Sequence, residues 1–220
     1  MRSTIPSLVA MSLVLMLSSC DTLRNIFPDM IVEDLLGVDG MTVVLSGPTP
    51  AAVGRASSTS FGGVSVKTLE TPVETLLPSP FPPETITIAV DLDAMLDVAG
   101  LATSPAEFTI ATGTLRVVLV RVGAQEVFGA DFFTVRPLTF TRGSCFADAC
   151  SYSAGSGPVE LVSATLTGAA AASLWQARTG SGRYELTVTL DVELSEPLIA
   201  SSITTKLGSK ASTASFKKQE

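Results

Sequence analysis

The sequence contains no histidine, the side chain that most often acts as a general base near neutral pH and as a metal ligand. A serine nucleophile would therefore need a different base to activate it. Lys67 is the only lysine between residue 20 and Lys206, and it lacks the S-x-x-K spacing of the penicillin-binding class. These residue types predict a protein that is not an enzyme.

Carboxylates recur at even spacing in two segments, as Asp91 and Asp93 and as Glu185, Asp191 and Glu193. A facing pair of such groups would meet the requirement of a glycosidase. The alternative is that they lie on the solvent face of an antiparallel sheet, where charged side chains discourage edge-to-edge pairing. We favour the second interpretation, because apolar residues alternate with these acids.

Three of the acids, Asp91, Asp93 and Asp97, are also candidates for a calcium site, since carboxylate oxygens suit that ion. No glycine turn separates them, as the known calcium loop would require. The favoured interpretation is solvation of a strand and capping of a short helix by Asp93. The sequence therefore predicts neither a metal site nor a cofactor.

Two of the three cysteines, Cys145 and Cys150, are separated by four residues. An even pair in an oxidising compartment predicts a disulfide. A redox pair or a pair of metal ligands are the alternatives. The spacing differs from the C-x-x-C redox motif, and two cysteines without histidine make a poor zinc site.

The N-terminus has the layout of a secretory signal peptide. Arg2 precedes an apolar segment, residues 8–17, which is too short to span a bilayer core of about 30 Å. A short apolar segment after a positive residue is typical of a leader that is removed on export. We therefore expect residues 1–19 to be absent from the mature protein.

The end of this leader, Leu17-Ser18-Ser19-Cys20, resembles the lipobox of bacterial lipoproteins processed by signal peptidase II. The resemblance covers about 20 residues and implies cleavage before Cys20, diacylglycerol on its thiol and a fatty acyl group such as palmitate. Two or more acyl chains anchor a domain firmly. The protein would then be exported and held to a bacterial membrane, on its periplasmic or outer face. An ordinary secretory leader is the alternative.

Composition separates this chain from disordered and nucleic-acid-binding proteins. Apolar residues make up 46% of it and charged residues only 16%, below the average of about 25%. Such a chain can bury a large core. The formal charge of −7 does not predict the basic surface that nucleic-acid-binding proteins use.

Most of the chain after residue 40 alternates between apolar and polar residues, the period of a half-buried strand. Eight strands are predicted, over residues 41–46, 64–69, 85–93, 114–122, 132–140, 159–166, 184–194 and 199–205. Residues 114–122 are apolar on both faces and indicate a central strand. Four consecutive alanines predict a helix over residues 168–177, with Thr167 as its cap and Gly180 as its end.

Strands without intervening helices favour a mainly β fold, an antiparallel β-sandwich (Ig-like or similar) with one or two short helices. This domain would span residues 41–205. Residues 20–40 form a lipid-anchored stem with a short helical segment, which packs on the domain or lies on the bilayer; we favour packing. Residues 206–220 are polar and predict a disordered tail.

Three functions are compatible with these features. The first is a non-catalytic cell-envelope lipoprotein that binds or supports another envelope component, such as an envelope protein. The second is a carrier of a lipid or other apolar ligand between the sheets, and the third, ranked last, is an enzyme. The predicted partners are the membrane, through the N-terminal lipid, and an envelope protein or apolar ligand, but not nucleic acid.

Overall fold

The computed structural model describes residues 27–47, 58–71, 81–123, 126–180 and 182–217. Within these ranges thirteen strands and one helix are found, and every strand pairing is antiparallel. The elements are β1 Met30–Val32, β2 Thr42–Ser46, β3 Ser58–Thr71, β4 Thr85–Leu92, β5 Met95–Ala99, β6 Glu107–Arg121, β7 Glu126–Phe133, β8 Leu138–Phe146, β9 Ala149–Ser153, β10 Val159–Thr167, α1 Gly168–Thr179, β11 Gly182–Leu198, β12 Ser202–Ser209 and β13 Ser212–Ser215. The prediction of a mainly β, antiparallel fold is confirmed.

Eight of the strands pair in a closed cycle. Its order is β5, β12, β2, β3, β11, β6, β8 and β9, and β9 pairs with β5 again. The two longest strands, β6 and β11, pair along almost their whole length in this cycle. Closure gives each of the eight strands a partner on both sides along part of its length, which limits unpaired edges.

The remaining part of the sheet is built on β4, which pairs with β10 on one side and with β12 and β13 on the other. Strand β12 joins the two parts, because its first half pairs with β2 and β5 and its last three residues pair with β4. Helix α1 contacts β4, β7 and β10. One continuous core therefore extends through both parts of the sheet.

The alternating pattern explains which side chains form this core. In β11 the predicted apolar face is buried, from Tyr184 at 5% exposure to Leu194 at 4%. The same holds for Ile86, Ile88 and Val90 in β4. The helix predicted at residues 168–177 is confirmed: it ends at Gly180, although the Thr167 hydroxyl makes no capping hydrogen bond.

Both ends of the domain differ from the prediction. The described part of the stem contains strand β1 and a turn instead of a helical segment, because Met30–Val32 pair with β13. Residues 206–217 are not a disordered tail, since they complete β12, form β13 and bury Phe216 completely. Tertiary pairing overrides the local preference in both segments.

Two internal predictions are also wrong. Residues 93–96 are not a helix; Asp93 accepts a hydrogen bond from the Met95 amide at 3.4 Å, and β5 begins at Met95. Residues 132–140 are not one strand, because the chain breaks between β7 and β8 at residues 134–137, which include Pro137. Proline removes the amide donor that a continuous strand would need.

Candidate functional site

An open groove of about 760 Å³ lies on the outer face of the strand cycle. Its floor is a row of cross-strand neighbours from five strands: Ser46, Gly62, Asp191, Thr114 and Phe133. Neighbouring strands lie about 4.8 Å apart, so the row is about 19 Å long. This volume lies within the range of ligand-binding pockets.

A second row lies one step further along the same strands. Ser60 and Thr112 flank Glu193 there, as Gly62 and Thr114 flank Asp191. Residues two apart on a strand point to the same face, so both carboxylates project into the groove. Their α-carbons are about 7 Å apart.

Glycine shapes the floor of the groove. A Cβ atom at Gly62 would collide with Oδ1 of Asp191, so glycine leaves the space that this carboxylate occupies. A Cβ atom at Gly113 would lie 3.0 Å from Cγ2 of Thr134. Gly62 therefore lets the Asp191 carboxylate lie close to the backbone of β3, and Gly113 avoids a tight contact with Thr134.

Strand pairing is irregular where the groove ends. The register of β11 against β6 shifts between Glu193 and Leu194, and its register against β3 shifts after Glu193. Such bulges bend a strand and redirect its side chains, and they are common beside functional sites. Glu193 is thus the last regularly paired residue of β11 on both sides.

The lining side chains give the groove a distinct chemistry. Two carboxylates and several hydroxyls line it, and among the described residues no basic side chain does. Within the described part of the chain, neither the Asp191 nor the Glu193 carboxylate forms a hydrogen bond or an ion pair. Some other acids of the described chain are paired, such as Asp131, whose Oδ1 lies 3.7 Å from Nη1 of Arg116.

Phe133 lies at one end of the floor and exposes 70% of its surface. Aromatic residues make up only 6% of the chain, so an aromatic stacking platform is not evident from composition. The pairing of β7 with β6 nevertheless puts this ring beside Thr114. The sequence offered one clue, since Phe132 and Phe133 are adjacent and an alternating strand can bury only one of them.

The carboxylates singled out in the sequence separate into three places. Asp191 and Glu193 lie in the groove, and Glu185 lies outside it on the same face of β11. Asp91 was expected on a solvent face but is 8% exposed, and its Oδ1 forms an ion pair with Lys210 Nζ at 3.2 Å.

Lys210 also donates a hydrogen bond to Glu160 Oε2 at 2.9 Å, and this bond raises the pKa of the lysine. The structure does not bring the candidate calcium ligands Asp91, Asp93 and Asp97 together. In the described part of the chain, no three acidic or cysteine side chains are grouped as a metal site.

Cys145 and Cys150 form a disulfide, as one of the sequence interpretations expected. They face each other across the β8–β9 hairpin, with Cys150 buried and Cys145 exposed. Phe146 follows at the tip of the hairpin and is 88% exposed. Cys20, the predicted lipidation site, lies outside the described residues.

The turn after β1 packs against a buried arginine of α1. Arg178 on α1 is 7% exposed and donates a hydrogen bond from Nη2 to the Asp34 carbonyl at 3.4 Å. Burial lowers the pKa of Arg178 and raises the pKa of the Asp34 carboxyl. Lys67 donates to the carbonyls of Gly37 and Asp39, both at 3.1 Å, and ties the turn to β3.

A search with models of known protein families finds no match to this chain, and no curated protein is significantly similar to it. Among the described residues, no helix combines the length and apolar character needed to cross a membrane.

Proposed function

We propose that this protein is a cell-envelope lipoprotein, anchored to a bacterial membrane by lipid on Cys20, and that its domain binds an envelope component without catalysis. One observation carries the binding part of the proposal: a groove lined by unpaired carboxylates at an irregular point of a closed strand cycle. Side chains carried on paired strands are positioned more precisely than side chains on loops, which supports a preorganised binding surface. The anchor rests on the lipobox resemblance.

We further propose that the domain is an antiparallel β-sandwich. Strand β12 supports this proposal, because its two halves pair with different parts of the sheet. The β4–β5 segment supports the sandwich as well. Strand β12 pairs with β5 in the strand cycle and with β4 in the other part of the sheet, so both β12 and the β4–β5 segment pass from one part to the other. Strands that switch between layers are characteristic of packed sheets.

The carrier of an apolar ligand is the second candidate, and the packing favours it less. Phe61, Phe140 and Tyr152 are at most 2% exposed and fill space between the strands. Ile86 and Leu190, which would line an internal cleft, are also buried in the continuous core. A carrier would need an apolar cavity of ligand size.

The test uses the full chain expressed in a bacterium that is fed an alkyne analogue of palmitate. A photo-crosslinking amino acid replaces Thr114 on the groove floor. We expect the chain to carry the lipid label and, after irradiation, to form one discrete adduct with an envelope component. Both results follow if Cys20 is acylated and the groove is occupied.

Each result has a matched control. Cys20→Ala removes the label, whereas Cys145→Ala/Cys150→Ala keeps it. A photo-crosslinker at Thr68, exposed on the same strand face outside the groove, yields no adduct. Label on the Cys20→Ala chain would contradict the anchor, and equal adducts from Thr68 and Thr114, or none from either, would contradict the groove.

A further inference from the structure

The charges in the groove restrict the ligand. Two exposed carboxylates project from the same strand, and no basic side chain lines the groove among the described residues. An anionic ligand would add repulsion without a countercharge. The described lining of the groove therefore favours a neutral or cationic ligand, and a cationic one would also relieve the repulsion between Asp191 and Glu193.

The strand pairing further restricts how a ligand can bind in the groove. At the floor of the groove, β11 is hydrogen-bonded to β3 on one side and to β6 on the other. The backbone amide and carbonyl groups of β11 are already hydrogen-bonded to these neighbours, so an extended peptide cannot bind to β11 by strand addition. Recognition must come from side chains, which here are short hydroxyls and carboxylates.

These side chains suit a polyhydroxylated ligand. Ser46, Thr112 and Thr114 can each donate and accept a hydrogen bond, and a carboxylate accepts strong charge-assisted bonds from hydroxyl or ammonium groups. The row is longer than a single sugar ring, and Phe133 closes one end with an exposed ring. An aromatic face can contact the apolar side of a sugar ring and can attract a cation.

We propose that the groove binds a saccharide chain that contains amino-sugar units, with Asp191 and Glu193 contacting the amino and hydroxyl groups and Phe133 stacking on a ring. This inference rests on the proposed function, because it names the chemistry of the component that occupies the same groove.

The experiment is calorimetric titration of the full chain, purified in detergent, with four probes. A β-1,4-linked glucosamine tetramer is expected to bind most tightly, and its N-acetylated form more weakly. Tetragalacturonate, which is anionic, is expected not to bind. Tetralysine has as many side-chain amines as the glucosamine tetramer has sugar amines, but it lacks the hydroxyls and is expected to bind much more weakly.

Variants connect binding to the groove. Asp191→Asn/Glu193→Gln should weaken binding of the glucosamine tetramer about tenfold or more, the loss expected for charge-assisted hydrogen bonds. Phe133→Ala should weaken binding of both sugar tetramers several-fold. Glu185→Gln and Phe146→Ala are the matched controls outside the groove, and they should change neither affinity.

Each contrary result would overturn the inference. These results are no binding of either sugar, sugar binding that the groove variants leave unchanged, binding of tetragalacturonate, or tetralysine binding as tightly as the glucosamine tetramer. If Asp191→Asn disturbs the packing against Gly62, the single variant Glu193→Gln replaces the double variant in the titration. A groove-specific adduct in cells without sugar binding would reject the saccharide and leave the proposed binding function intact.

Discussion

At the scale of single residues, the turn after β1 places Asp34 beside Arg178, and the burial of these charges lowers the stability of the fold. Asp34 has a left-handed backbone with φ of 42°, and its Oδ1 accepts a hydrogen bond from the Asp39 amide at 3.1 Å. Arg178 is buried beside it, and among the described residues its Nε and Nη1 atoms have no hydrogen-bond partner. Buried, incompletely paired charges reduce stability more often than they add to it.

Asp34→Asn should therefore stabilise the protein at neutral pH. Asparagine keeps the acceptor oxygen and tolerates the left-handed backbone, but it carries no charge to desolvate. Burial raises the pKa of Asp34 above its ordinary value of 3.8, so the wild-type penalty is absent below that pH and complete above the raised pKa. The gain should thus appear in urea unfolding at pH 7 and vanish near pH 3.5.

Glu33→Gln is the control for this prediction, since it removes an equal charge from the exposed neighbouring residue. Its unfolding free energy should stay within about 0.5 kcal/mol of the wild type. An Asp34→Asn protein that is less stable than the wild type at pH 7 would contradict the argument.

At the scale of elements, the β8–β9 hairpin is held by more than its disulfide. Cys145 and Cys150 are paired directly across the ladder, and the turn between them is joined to the rest of the fold by a bond from the Leu101 amide to the Asp148 carbonyl. Below the disulfide, Tyr152 is fully buried and donates a hydrogen bond to the Pro105 carbonyl at 3.0 Å. These contacts hold the hairpin when the disulfide is absent.

Cys145→Ala/Cys150→Ala should consequently fold and lose at most about 2 kcal/mol, the entropic stabilisation expected for so small a ring. Guanidinium unfolding with and without reductant measures the loss. Reductant should destabilise the wild type by the same amount and leave the double variant unchanged. A double variant that does not fold would show that the hairpin depends on the disulfide.

At the scale of the whole molecule, distant parts of the chain meet in one aromatic cluster. Phe216 near the C-terminus contacts Trp175 on α1 edge-to-face at 5.5 Å and Phe27 near the start of the described chain at 5.8 Å. Phe27 in turn lies 6.4 Å from Phe81. The two ends of the domain therefore stabilise each other through the helix.

Phe216→Ala should cost about 3–5 kcal/mol, as expected when a fully buried phenylalanine is truncated. Trp175 is the single tryptophan of the chain, so its fluorescence reports this region alone. We expect a lower denaturant midpoint and a shift of the folded-state emission towards longer wavelengths. Phe146→Ala, at an exposed position, should change neither quantity, and an equal effect of the two substitutions would contradict the prediction.

The sequence alone was sufficient for elements whose pattern is local. The alternation of β4 and β11 defines which face is buried, because the two-residue period is a property of the strand itself. The alanines of α1 favour a helix by intrinsic preference. The pairing of Cys145 with Cys150 was also accessible, because two nearby cysteines have few other partners. Lipidation of Cys20 remains a prediction.

Only the tertiary structure decided the short segments and the groove. Residues 30–32 and 212–215 are too short to have a strong preference of their own, and they become strands because each finds a partner. Gly62, Thr114 and Asp191 are far apart in the chain and become neighbours through the register of three strands. The local pattern defines which face of each strand is buried, but which residues of distant strands lie opposite each other is decided only when the strands pair.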